Sequence, residues 1–323
     1  MNAREFGPAK VENEVLSLLL LQKMCPKIPV PRVLAYSEEG RTLHKCDAGG
    51  TAASSENLGT GFPGWVLMTR LPGRPLDACD RSPEDLSLLS RQLADIVASW
   101  RKDIPCAQGS ANIHYQPFEA EKLELGDGDD GCPPATSFLD FWKMQINWKI
   151  KDIRQSSVFS DGTEEIVVSV SDILENVLPR LLSKTPIEHD RFVFTHGDLF
   201  PRNILVSEKK PPRITGIIGF EFSGFYPPWK EYVQEWQPYK RLADWPAEVY
   251  QQFLINVEAS GDSTLHSTSQ HDRAVIHELY RLRNYLDSGW LVDEYGEEAA
   301  AARAKSEIEN AVKALRQLAN MSP

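Results

Sequence analysis

The stretch that most restricts what this chain can become is Phe194-Thr-His-Gly-Asp-Leu-Phe-Pro-Arg-Asn-Ile-Leu-Val206, followed by Ile214-Thr-Gly-Ile-Ile-Gly-Phe-Glu221. Residues 191–195 are short, β-branched and aromatic, so they read as a strand that stops at Gly197. Ile204 to Val206 and Ile214 to Ile218 read as two more strands, and the polar, proline-bearing run between them suits an exposed hairpin loop. His196, Asp198 and Asn203 therefore fall in one loop at the end of a strand, where rigid elements commonly hold reactive groups.

An aspartate that can take a hydroxyl proton, with an asparagine five residues on that can hold magnesium, is the spacing used for phosphoryl transfer. An isolated Asp and Asn would be read as turn residues that satisfy nearby backbone N–H groups. That reading leaves the rest of the string, and the strand on each side of it, unexplained.

The length of 323 residues is enough for two lobes with substantial cores. Hydrophobic residues make up 41% and charged residues 25%, as in an ordinary soluble protein. The net charge of −11 advertises no surface for a polyanion, which excludes nucleic acid as an expected partner. Cys25, Cys46, Cys79, Cys106 and Cys132 are odd in number, widely spaced and contain no Cys-x-x-Cys pair, so free thiols are expected. The densest apolar run, Val15 to Leu21, is too short to span a bilayer and lacks the flanks of a leader. A cytoplasmic protein without membrane contact is the expectation.

In chain order, residues 9–24 read as a helix ended by Pro26, Pro29 and Pro31. Strands are expected near 30–36, 41–45 and 65–71, with 48–64 a long loop. Ser82-Pro83-Glu84-Asp85 is a helix start, and Leu86, Leu89, Leu93, Ile96 and Trp100 recur behind it at helical spacing. Further helices are expected at 137–154, 163–184, 246–258, 272–292 and 297–321, with a polar linker at 260–270. Helices segregated from short antiparallel strands make the fold class α+β. The expected lobes are 1–76, mixed and curtailed, and 77–323, mostly helical and carrying the hairpin 191–222.

These residues resemble the aminoglycoside phosphotransferase-like branch of the protein-kinase-like superfamily, particularly its fungal small-molecule members. The matching pieces are Ile28-Pro-Val-Pro-Arg-Val-Leu34, Trp65-Val-Leu-Met-Thr-Arg-Leu-Pro-Gly-Arg-Pro-Leu76, Thr195 to Val206, and Thr215 to Pro227. The resemblance implies a bilobal fold that uses ATP and magnesium. It makes Asp198 the catalytic base, with His196 beside it, and Asn203 a metal ligand. Glu14 becomes the helix glutamate that orients a phosphate-binding lysine. Met68, Thr69, Arg70 and Leu71 become the hinge that meets adenine.

Two departures accompany the match. Where the family carries a metal-holding aspartate this chain has Gly219, and Glu221, two residues on, is the remaining candidate ligand. A glycine-rich hairpin and a strand lysine are expected before Glu14, where about a dozen residues stand; Lys10 lies one helical turn from Glu14 and is not a strand lysine. Gly59 to Gly64 fits Gly-x-Gly-x-x-Gly literally, but without the strand and helix that give the motif meaning.

The run Glu119 to Asp130 carries six carboxylates against one lysine. It reads either as a solvated loop or as an acidic wall that favours a cationic, amine-bearing small molecule. Two functions stay open: a phosphotransferase acting on a small-molecule hydroxyl, for which secondary metabolism is a natural setting, or a degenerate kinase-like binding protein.

Overall fold

The computed structural model of the protein describes residues 7–47, 52–59, 64–113, 134–156, 159, 162–182, 191–232, 247–260 and 269–321. Its helices are α1 (Gly7–Met24), α2 (Pro83–Asp103), α3 (Phe138–Gln155), α4 (Thr163–Asp172), α5 (Leu178–Leu182), α6 (Ala247–Ala259), α7 (Gln270–Tyr285), α8 (Ser288–Tyr295) and α9 (Glu297–Asn320). The chain divides into two compact units. The first spans residues 1–127, 191–231 and 243–265, and the second spans 128–190, 232–242 and 266–323.

In the first unit, every residue from Val15 to Leu21 is 5% exposed or less, so α1 is a core helix with no solvent face along this run. It packs against β1 (Val33–Ser37) and β4 (Trp65–Met68) of an antiparallel sheet ordered β3-β2-β1-β4, in which β2 is Thr42–Cys46 and β3 is Ala52–Asn57. The presence of β3 corrects the expected long loop at 48–64. Its Ser-Ser-Glu-Asn content is poor in strand formers, and the strand exists through its backbone register with β2.

Past Met68 the chain enters β5 (Arg74–Pro75), which pairs with β7 (Ile204–Val206); β7 in turn pairs with β8 (Ile214–Ile217). A second small pairing joins β6 (Val193–Thr195) to β9 (Gly224–Tyr226). Ser82 caps α2 by accepting the Asp85 N–H at 3.2 Å, as its sequence signature suggests. From α2, Gln92 grips the β8 end of the hairpin loop, donating to the Pro212 carbonyl at 3.1 Å and accepting the Ile214 N–H at 3.0 Å. Arg81, just before α2, donates to the Ser207 carbonyl at the other end of the same loop, at 2.9 Å.

The second unit is built of α3, α4, α5, α7, α8 and α9. The expected helix 163–184 contains a π turn at Ile173–Val177 between α4 and α5. The expected helix 272–292 is two helices, broken at Leu286 and Asp287, where Asp287 leaves the helix and pairs with Lys149 at 2.9 Å. Ser269 and Asp272 form a capping box at the start of α7. Trp142 meets Tyr280 edge to face at 4.8 Å, and the buried Gln145 accepts from Arg283 at 2.8 Å.

Most of Gly59–Gly64, the acidic run 119–130, most of the linker 260–270, and Cys132 lie outside the described residues. Cys25, Cys46, Cys79 and Cys106 are free thiols. No described helix is long and apolar enough to cross a membrane.

The join between α1 and the turn after β8 is polar. Asn13, 2% exposed, donates its amide to the carbonyls of Glu221 at 3.0 Å and Ser223 at 2.8 Å, and accepts the Ile113 N–H at 3.2 Å. One turn on, Ser223 donates its hydroxyl to that of Ser17 at 2.6 Å. A buried backbone group left without a partner costs about 1–3 kcal/mol. Asn13→Ala is therefore expected to lower stability by roughly 2–4 kcal/mol in urea unfolding, well beyond the effect of an exposed substitution. A loss under about 0.5 kcal/mol, the range of ordinary surface changes, would show that the clamp holds nothing.

Candidate active site

β6 delivers the chain to His196, and Gly197 turns it. Gly197 has φ +80°, and a Cβ there would strike the Phe222 carbonyl, so only glycine lets the two segments pass. His196 is fully buried. Its Nδ1 accepts the Asp198 N–H at 3.2 Å, so its proton sits on Nε2 and is donated to the Ile218 carbonyl at 3.0 Å. Burial pushes its pKa down to about 4, and the ring is neutral. Placed beside Asp198 as a catalytic group in the sequence reading, His196 has both ring nitrogens on backbone. Its geometry is that of a brace.

Behind the loop stands Glu231, which sequence reasoning missed. It is 9% exposed, and its Oε2 accepts the His196 N–H at 2.8 Å and also serves Gly197. Burial pushes its pKa up to about 7, against Arg101, the two N–H groups and Lys230. No sequence signal could have found it, because it recognises backbone 35 residues away.

Asp198 is held at both oxygens. Oδ1 accepts from Arg202 at 2.6 Å, and Oδ2 accepts from Asn203 Nδ2 at 2.8 Å; the same Nδ2 also reaches the Asp198 carbonyl at 2.8 Å. Arg202 lies over the Phe200 ring at 4.4 Å, which fixes the guanidinium. Burial raises the Asp198 pKa, Arg202 and Asn203 oppose it, and the charge of Glu221 adds to the rise. An ionised carboxylate has about four acceptor positions, so two donors orient it and leave capacity for a hydroxyl proton. The spacing of Arg202, four residues after Asp198, was the available signal for this contact.

Gly219 packs directly on Asn203. It has φ +81°, and a Cβ there would come within 2.9 Å of the Asn203 amide. Magnesium demands near-octahedral oxygen ligands, usually including one or two carboxylates. Here Gly219 supplies no oxygen, and the Asn203 Nδ2 is committed to Asp198. Glu221 directs Oε1 toward Lys10 at 3.5 Å, while its Oε2 is buried without a hydrogen-bond partner. Among the described residues no three His, Cys, Asp or Glu side chains gather as a metal centre. Asn203 and Glu221 are the residues expected to hold magnesium; with Nδ2 on Asp198, the oxygens left for an ion are Asn203 Oδ1 and the unpartnered Glu221 Oε2, and Gly219 adds none.

Glu14 is half-buried on α1. Burial first, then the neighbouring Glu221, pushes its pKa up to about 7, with Lys10 opposing. The lysine that Glu14 and Glu221 feel is thus on the same helix. Of the expected hinge, Met68 pairs with Val33, and Thr69 exchanges two hydrogen bonds with Arg32. Leu71 lies against Gly216 of β8, where a Cβ would come within 2.6 Å of it, and Arg70 is exposed.

A family model described as the phosphotransferase enzyme family matches residues 8–258. No curated protein sequence matches the chain. Among solved structures, the gentamicin complex of APH(2")-IIa matches with a TM-score of 0.55 at 12% identity, covering 93% of this chain and 80% of that one. The ADP-bound aminoglycoside phosphotransferase APH(2'')-Ib matches with 0.53 at 12% identity, covering 96% and 83%. The streptomycin–ATP ternary complex of APH(2")-IIa gives 0.53 at 12%, covering 94% and 81%. At such identities the likeness shows the fold, an α+β fold of the protein-kinase-like kind.

The elevated Glu231 carboxyl makes a prediction about pH. A carboxyl that titrates near 7 when folded and near 4.5 when unfolded takes up a proton on folding. Its contribution is full at low pH and declines as pH rises from about 4.5 to about 7. Glu231→Gln keeps an acceptor for the His196 N–H and removes the ionisation. The variant's melting temperature should gain on that of the parent between about pH 5 and pH 8. Parallel curves would show that Glu231 is not the source.

Proposed function

The chain belongs to the phosphotransferase enzyme family, and from that membership and the Asp198 cradle we propose that it transfers a phosphoryl group from ATP to a hydroxyl of a small molecule. The observation that carries the reading is the double fixation of Asp198, by Arg202 at 2.6 Å and by Asn203 at 2.8 Å, on a loop braced by His196. The acceptor oxygen attacks the γ-phosphorus and its bond to phosphorus forms. The bond to the bridging oxygen of ADP breaks, and the hydroxyl proton passes to Asp198. His196 and Glu231 hold the loop, and the backbone of Met68 to Leu71 is the adenine-binding hinge between lobes that divide at Leu76. The acidic run 119–130 favours a cationic, amine-bearing acceptor. The free thiols of the described cysteines support a cytoplasmic setting.

One observation favours a second reading, a nucleotide-binding protein without transfer: Gly219 stands where a carboxylate would hold a metal. Aspartate tolerates the left-handed backbone found there better than most residues. If the second reading holds, Gly219→Asp should confer magnesium-dependent stabilisation by ATP that the parent lacks.

The test of the first reading is Asp198→Asn, assayed with γ-labelled ATP against a panel of hydroxyl-bearing small molecules. Loss of the base should reduce transfer by roughly 10²–10⁴-fold, with the melting temperature within a few degrees of the parent. Equal turnover by variant and parent would remove Asp198 from the mechanism, and a parent that transfers to nothing would leave the binding reading.

A further inference from the structure

The two side chains that hold Asp198 come from its own loop, and one of them stands where such a contact is usually weak. The Arg202 side chain is 45% exposed, against 16% for Asp198. Exposed ion pairs four residues apart gain little, because a long flexible cation must give up many rotamers to keep one geometry. Arg202 nevertheless stands 2.6 Å from Oδ1, and what supports it there is the Phe200 ring, 4.4 Å from the guanidinium. We propose that Phe200 is a positioning residue for the transfer, a shelf that keeps the guanidinium on Oδ1 and through it fixes the plane in which Asp198 meets the acceptor hydroxyl.

Three features of the geometry support the assignment. First, the shelf is itself fixed. The Phe200 N–H donates to the Asp198 carbonyl at 2.8 Å, the Phe200 carbonyl accepts the Asn203 N–H at 2.8 Å, and Pro201, whose ring locks φ, stands between Phe200 and Arg202. Second, the two donors sit on different oxygens, Arg202 on Oδ1 and Asn203 on Oδ2, and together they define the carboxylate plane. The last torsion of an aspartate is soft, so losing either donor frees the carboxylate to turn. Third, Gly219, packed on the Asn203 amide, brings no side chain toward the base. The orientation of Asp198 therefore comes from within residues 198–203. A base turned out of line with its acceptor costs rate and not affinity, so the effect of Phe200 belongs in kcat.

This inference rests on the phosphoryl transfer proposed above, and the experiment separates the two. With γ-labelled ATP and the best acceptor of the hydroxyl-bearing panel, kcat and KM are measured for the full-length parent, Phe200→Leu, Phe200→Tyr, Arg202→Met and the double variant Phe200→Leu with Arg202→Met. Phe200→Leu should lower kcat by roughly 10–100-fold, with both KM values within about twofold of the parent. Phe200→Tyr keeps the ring and should restore most of the rate. Arg202→Met should cost about as much as Phe200→Leu, and the double variant no more than either, because residues that act as one unit are not additive. Each variant is first checked for parental melting, and if Phe200→Leu does not fold, Phe200→Met takes its place. An unchanged kcat in Phe200→Leu, or losses that multiply in the double variant, overturns the inference and leaves the transfer intact. A loss carried by the acceptor KM would put Phe200 against the acceptor instead and overturns it as well. A parent that transfers to nothing overturns both.

Discussion

The interaction on which the rest of this structure depends is the Asn13 amide clamp. One buried side chain satisfies two carbonyls of the turn after Gly219 and one N–H of the segment at Ile113. Apolar packing alone would let α1 slide, because the hydrophobic effect has no direction. Hydrogen bonds that must all be made at once fix one register. That register sets where Lys10 and Glu14 stand with respect to Glu221, and through Gly219 it reaches Asn203 and Asp198.

The loop that carries Asp198 is held mainly from behind. His196 binds the carbonyl of Ile218 and the N–H of Asp198, and Glu231 binds the N–H groups of His196 and Gly197. Both bracing groups are buried, and burial shifts each toward its neutral form: His196 down and Glu231 up. His196 is neutral, and burial draws Glu231 toward its protonated form, which limits the charge standing behind the one site group that has to change its proton. Asp198 is thereby left as the less buried acid of the loop, with Arg202 and Asn203 favouring its ionised state.

Much of this was legible in the sequence where the signal was local. The Ser82 cap, the β7–β8 hairpin and the Asp198–Asn203 spacing are all encoded within a few residues. What was illegible depended on partners far along the chain. β3 has no strand-like composition and exists through β2. The break at Leu286 and Asp287 answers to Lys149 on α3, and Glu231 answers to backbone 35 residues earlier. Lys10 was visible as a lysine one turn before Glu14, but its pairing with Glu221 spans more than two hundred residues. The metal ligands were expected from the resemblance, and the contact between Gly219 and Asn203 is one that a motif does not carry.

The hairpin loop after β7 has a bearing on how chains of this build can diversify. Gln92 and Arg81 seize the loop at Ser207, Pro212 and Ile214, so both of its ends are moored to or beside α2. Between the moorings, Glu208, Lys209 and Lys210 are exposed. Extra residues placed at that tip would lengthen a closed loop whose entropic cost grows only slowly with size. Growth there would leave β7 and β8, and the Asn203 and Gly219 that flank them, where they are. The tip is a port at which new recognition surface can be added to the molecule without retuning its centre.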